Sequence, residues 1–148
     1  MTWINLLVGL PLMLSCLLVQ VATAFWSVRH YLRQTGRPRP GAGFLAATRP
    51  LLSGMIIMMI GNFVQIALWG IVFVALREFD ELYEAIYHSA VNFASLGYGD
   101  IVVSKRWKLL GPFEAVNGVL MLGMTSAALM AILGQLIKVQ RRALGLPD

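Results

Sequence analysis

Ser95-Leu96-Gly97-Tyr98-Gly99-Asp100 is a short, glycine-punctuated loop set between two stretches apolar enough to cross a membrane. Polar backbone belongs at that depth only where protein buries it or where water or an ion lines it. The upstream stretch runs from Leu51 to Leu76 and the downstream one from Phe113 to Val139; another, Trp3 to Val28, comes first in the chain. Each exceeds the ~20 apolar residues that cross ~30 Å of hydrocarbon. Of the 148 residues, 58% are hydrophobic and 13% are charged. That charged share is about half the usual one for a soluble domain, so the composition calls for lipid as its solvent. Little chain is left for a separate soluble domain.

The segment that leads into the loop has its own pattern. Asp80 is a suitable N-cap, and Glu81 and Glu84 fall in a first turn, where carboxylates oppose the helix dipole. Small and aromatic residues follow at Ala85, Tyr87, Ala90 and Phe93. A helix over 80–94 is ~21 Å long, too short to span. It reads as a helix that dips into the membrane and stops at the loop, after which Ile101 to Lys108 climbs back out. Pro112 then opens the last helix in the position proline tolerates.

Such a helix aims its partly negative C-terminal end at the membrane interior, which favours a cation there. Gly97 and Gly99 supply the backbone freedom needed to turn successive carbonyls toward one axis. The carbonyls of Ser95, Leu96, Gly97 and Tyr98, with the Ser95 hydroxyl at the inner mouth, can then replace a cation's hydration shell. One chain supplies one side of each oxygen ring, so the site needs symmetric copies about the axis.

The charges are distributed by side of the membrane. Of the 12 basic residues, Arg29, Arg33, Arg37, Arg39 and Arg49 fall between spans one and two, and Lys138, Arg141 and Arg142 at the end of span three. With three crossings these groups share one side, and the positive-inside rule makes it cytoplasmic. Glu78, Asp80, Glu81, Glu84, Asp100 and Glu114 lie on the other side or at the start of span three. The expectation is a multi-pass cell-membrane protein with its N-terminus outside and its C-terminus in the cytoplasm. The net charge of +5 is thus a topology signal, with anionic lipid as a second partner, and no nucleic-acid partner is expected. Ala22-Thr23-Ala24 resembles a cleavage box, but Met1 to Asn5 carries no Lys or Arg, so the first span reads as a retained helix.

Within the spans, Pro11 should kink the first helix or end its first turn. Arg29 and Arg33 follow the apolar run rather than recurring within it, so span one is no voltage-sensing helix. Gln34 to Gly43 is a loop by composition, and Phe44 to Thr48 reads as a short helix along the interface. Asn62 and Gln65, three residues apart, should face protein and hydrogen-bond between helices. In span three Met124, Ala127, Ala128, Ala131 and Gln135 share one face, which suits a water-filled cavity or a close helix contact. Gln135 and Val139 mark the level of an inner constriction. Glu114 is expected in the first turn of that helix, opposing its dipole. Cys16 lies inside span one, so no internal disulfide forms.

Residues Leu51 to Val139 resemble the two-transmembrane pore domain of bacterial-type potassium channels. Ser95-Leu96-Gly97-Tyr98-Gly99-Asp100 is similar to that family's T-V-G-Y-G-D selectivity filter, and Gly123-Met124-Thr125-Ser126 resembles the inner-helix region where many members bend at a glycine. The resemblance implies a homotetramer that passes K+ passively, with K+ held at Ser95, Leu96, Gly97 and Tyr98 and no cofactor. It implies that Gly123 is a hinge and that Met124, Ala127, Ala131 and Gln135 line the path. Where members often carry two tryptophans, this chain has Tyr87 and His88, either of which can reach Asp100 to support the filter; His88 would bring pH dependence, since its charge changes near neutrality. Two positions depart from the family's pattern: Ser95 in place of threonine loosens the inner site, and Leu96 in place of valine is expected to pack behind the filter with γ- rather than β-branching.

The resulting expectation is an all-α membrane protein with three transmembrane helices and a re-entrant helix and loop between the second and third. Residues 1–28 form an extra N-terminal helix and 29–50 a basic cytoplasmic linker. Residues 51–142 form the pore domain (outer helix 51–76, pore helix 80–94, filter 95–100, inner helix 112–139), and 143–148 a cytoplasmic tail. The alternatives are a weakly selective Na+/K+ channel and a non-conducting accessory or sensor subunit. An enzyme is not expected, because no spacing suggests a metal site or a nucleophile with its base, and His30 and His88 fall on opposite sides.

Overall fold

The computed structural model describes residues 2–35, 44–143 and 145. Its described residues form four helices and no strand: α1 (Thr2–Thr35), α2 (Phe44–Ala75), α3 (Leu82–Phe93) and α4 (Leu110–Ala143). α1, α2 and α4 are long and apolar enough to cross a membrane, with mean hydropathies of 2.1, 2.1 and 1.9 over their most apolar stretches. At 12 residues, α3 is ~18 Å long and cannot span. The chain is an all-α membrane protein with a short helix between its second and third spans.

Three local expectations are corrected. Phe44 to Thr48 is no separate interfacial helix but the first turns of α2, which continues through Pro50; a proline this early interrupts a single bond, and apolar turns on either side carry the helix across. The N-cap of α3 is Glu81, in extended conformation and without a side-chain cap bond, rather than Asp80. α4 starts at Leu110, so Glu114 lies beyond the first turn. α1 runs unbroken through Pro11. Most of the loop from Gln34 to Gly43, with Arg37 and Arg39, and four of the six residues of the tail 143–148 lie outside the described residues.

α1 lies parallel to α4, contacting it along its whole length. Asn5 donates to the Arg106 carbonyl just ahead of α4 (2.9 Å), Gly9 meets Phe113, Gln20 bonds the Met121 carbonyl, and Tyr31 packs with Ile132 and Leu136. α2 runs antiparallel to both. Its approach to α1 is close because small residues face each other: a Cβ on Gly61 would come within 2.7 Å of Thr23, and one on Gly54 within 2.9 Å of the Ser27 hydroxyl. Gly, Ser and Thr at such crossings are what membrane helices use to bring backbones together. The outward faces carry Leu7, Leu14, Leu18 and Phe25 on α1 and Ile60 and Phe63 on α2, as lipid contact requires.

Candidate functional site

α3 is wedged between α2 and α4 by two glycines. At Gly70 a Cβ would meet the Ile86 backbone at 3.2 Å, and at Gly118 it would meet the Phe93 carbonyl oxygen at 2.0 Å. The end of α3 therefore rests directly on the backbone of α4, with no room for a side chain between. Behind α3, Trp69, Phe73, Phe79 and His88 form an aromatic cluster with ring centroids 5.1–6.1 Å apart. Each such pair adds ~0.5–1.5 kcal/mol beyond its buried area.

The helix stops by a specific device. Ser95 N–H donates to the Asn92 carbonyl (2.8 Å) and Leu96 N–H to the Val91 carbonyl (2.9 Å). This is the paired 5→2 and 6→1 closure of a Schellman motif, with Ser95 at the left-handed position usually given to glycine. Ser95 has φ +56. Gly97 (φ +59) and Gly99 (φ +73) repeat that handedness, while Leu96 and Tyr98 do not share it. Sequence reasoning anticipated the two glycines and missed Ser95. The signal it had was the register: if 97 and 99 are left-handed in an alternating loop, so is 95. Residues 95–100 are exposed in the single chain, Leu96 by 55% and Tyr98 by 65%. Leu96 thus finds no packing place behind the loop within its own chain.

The C-terminal end of the loop is tied to α3. Tyr87 Oη donates to Asp100 Oδ2 at 2.7 Å, and Ile101 N–H donates to Asp100 Oδ1 at 3.0 Å. The Tyr87 hydrogen bond holds the Asp100 carboxyl below its ordinary range, and the same bond raises the phenol. His88 reaches the adjacent residue instead: its Nδ1 lies 3.0 Å from the Ile101 carbonyl and its Nε2 2.8 Å from Asn92 Nδ2. A carbonyl only accepts and an amide nitrogen only donates, so the ring carries its proton on Nδ1 and is neutral. Burial among aromatics pushes the imidazole below its ordinary value.

Glu78 accepts from both the N–H and the hydroxyl of Ser104, bracing the segment that leads from the loop to α4. Glu114 is buried and faces Asn92 Nδ2 at 3.5 Å, so it packs behind α3 rather than serving the helix dipole. On α4, Glu114, Asn117, Gly118, Met121, Ile132 and Leu136 form the buried face. Gly123, Ala127, Ala131 and Gln135 are exposed and Met124 is half-buried, on the side turned away from α1 and α2. Gly123 has no atom within 4 Å of where a Cβ would stand. Ser95, Ala115, Val116, Val119 and Leu120 line an open apolar depression of about 310 Å³. Among the described residues no cluster of His, Cys, Asp and Glu is placed to hold a metal ion.

A family model described as an ion channel matches residues 61–135. No curated protein and no solved structure matches the chain. The matched stretch begins midway along α2, takes in α3 and the whole glycine loop, and ends near the C-terminal end of α4, so it follows the elements that build the site and leaves α1 out. It covers just over half of the 148 residues, and on that match this membrane protein belongs to the ion channel family.

Proposed function

We propose that the chain is one protomer of a homotetrameric potassium channel that passes K+ down its electrochemical gradient. The observation that carries this reading is the repeated left-handed backbone at Ser95, Gly97 and Gly99. Alternating handedness turns successive carbonyls to one side of the loop, and four such loops about an axis make stacked oxygen rings. The carbonyls of Ser95, Leu96, Gly97 and Tyr98 hold the dehydrated ion. Tyr87 through Asp100, and His88 through Ile101, hold the outer end of the filter. Gly123, Met124, Ala127, Ala131 and Gln135 line the path below it. The exposure of Leu96 and Tyr98 in the single chain supports neighbours supplied by other copies. The charge distribution supports an N-terminus outside and a C-terminus in the cytoplasm.

A second reading, a weakly selective cation channel of the same architecture, is favoured by Ser95. It keeps the hydroxyl but lacks the methyl group that stiffens a threonine side chain. Flux into liposomes from purified protein separates the readings. Uptake in K+ that is blocked by Ba2+ and nearly absent in Na+ is expected. Comparable uptake of both ions replaces the selective reading with the weakly selective one. No uptake of either makes the protein an accessory subunit.

A further inference from the structure

The family match leaves α1 outside, yet α1 reaches the middle of α4 through one fully enclosed side chain. Gln20 is 0% exposed within its own protomer. Its amide nitrogen donates to the Met121 carbonyl at 3.1 Å and to Thr125 Oγ1 at 2.9 Å. Its oxygen accepts from Gln65 Nε2 on α2 at 2.7 Å. Both amide protons and the carbonyl are therefore used. Thr125 also receives Asn62 Nδ2 from α2 (3.3 Å) and returns its own proton to the Met121 carbonyl at 3.0 Å. Two helices, α1 and α2, thus converge on the single turn of α4 from Met121 to Thr125. That turn contains Gly123, which touches nothing where a side chain would be.

We propose that Gln20 is a positioning residue for conduction: it splints α4 across Gly123, so that α1 sets how readily the inner half of α4 swings. The proposal rests on α4 lining the conduction path. Bending α4 within this turn moves Thr125 relative to Met121. Gln20 bonds both, and cannot follow both. One of its amide protons would be left without a partner in a fully buried site, where an unmade hydrogen bond is costly. On α2 the Gln65 amide nitrogen is committed to Gln20 and Asn62 to Thr125, while Gln65 Oε1 is buried without a partner.

Gln20→Met keeps the length and bulk of the side chain and removes its polar atoms. Thr125→Val removes the acceptor from the other side and stands in where Gln20→Met fails to assemble. Single-channel recordings from purified protein in planar bilayers should show open probability shifted by about threefold or more in each, the effect of losing an average hydrogen bond between membrane helices. The double variant should add little to either single one, while conductance and reversal potential stay as in the wild type. A purely structural role would lower the melting temperature and leave the open and closed times of surviving channels unchanged. That outcome overturns the splint while the wild type conducts. A change in reversal potential or conductance puts the effect at the filter and also overturns it. A wild type that passes no current overturns the conduction reading and the splint together.

Discussion

Ser95 holds two requirements that pull apart. Its backbone closes the end of α3 in a left-handed conformation that L residues adopt at a cost of about 1–2 kcal/mol, while its side chain carries the hydroxyl assigned to the inner mouth. Glycine meets the first requirement and fails the second. Ser95→Gly should leave the melting temperature unchanged or raised, because the strain is relieved, and should weaken discrimination against Na+, read as a shift in reversal potential under mixed ions. A fall in stability without change in selectivity would contradict both assignments. The titrating groups at the outer end also separate by pH. The Asp100 value is depressed, so what its ionised form contributes is complete above the ordinary carboxylate pKa and is lost as pH falls through the lowered value. The His88 value is lowered as well, but for a base this favours the neutral ring: its contribution is complete above ~6.5 and declines as pH falls below that. Currents should therefore be flat from neutral pH upward and decline only as external pH falls past the ordinary imidazole value of ~6.5 and through the lowered one. His88→Phe should remove that limb and leave only the more acidic one, and Tyr87→Phe should move the acidic limb upward. An unchanged pH profile in His88→Phe would show that the imidazole plays no part.

At the level of elements, the two glycines of α4 play opposite parts. Gly123 drew attention in the sequence because Gly123-Met124-Thr125-Ser126 resembles the inner-helix region where many potassium channels bend at a glycine. Gly118 drew none, yet it is the one on which α3 rests, and a Cβ there would stand 2.0 Å from the Phe93 carbonyl. Gly118→Ala must displace α3 or α4, and overpacking of this kind costs ~1–3 kcal/mol or more. It should abolish assembly or flux, as followed by size-exclusion profile and liposome uptake. Gly123→Ala meets no atom of its own protomer and gains ~1 kcal/mol of helix propensity; it should raise the melting temperature and reduce open probability if the turn bends. The contrast shows where sequence reasoning reaches and where it stops. Spans, re-entrant helix and loop were legible because apolar length and glycine placement are local properties. Gly118, the buried Glu114 and the use of Glu78 to brace Ser104 were not, because each depends on which face of one helix meets another, and spacing alone leaves that open. The cap of α3 was misplaced by one residue for a related reason: Asp80 and Glu81 both suit the position by type, and the turn from Arg77 (φ +59) to Phe79 decides between them.

For the whole molecule, the charges and the order of spans make a topology that is open to direct measurement. Cys16 is buried and is the chain's single cysteine, so an added thiol reports its own position. In intact cells, Lys105→Cys should react with a membrane-impermeant maleimide from outside and Arg141→Cys only after permeabilisation; the reverse pattern would invert the orientation. The extra helix was legible as a span, but what it does was not, since Gln20 is one polar residue in a long apolar run and its partners lie in other helices. The Gln65–Gln20 bond bears on how the chain is made. α1 and α2 leave the ribosome first and can join through that bond as a hairpin, before the last span exists. The two protons of Gln20 then wait as an unfilled socket in the bilayer, and α4 is the segment whose backbone carbonyl and hydroxyl fill it. Where docking follows synthesis, the first helix serves as a template for the last.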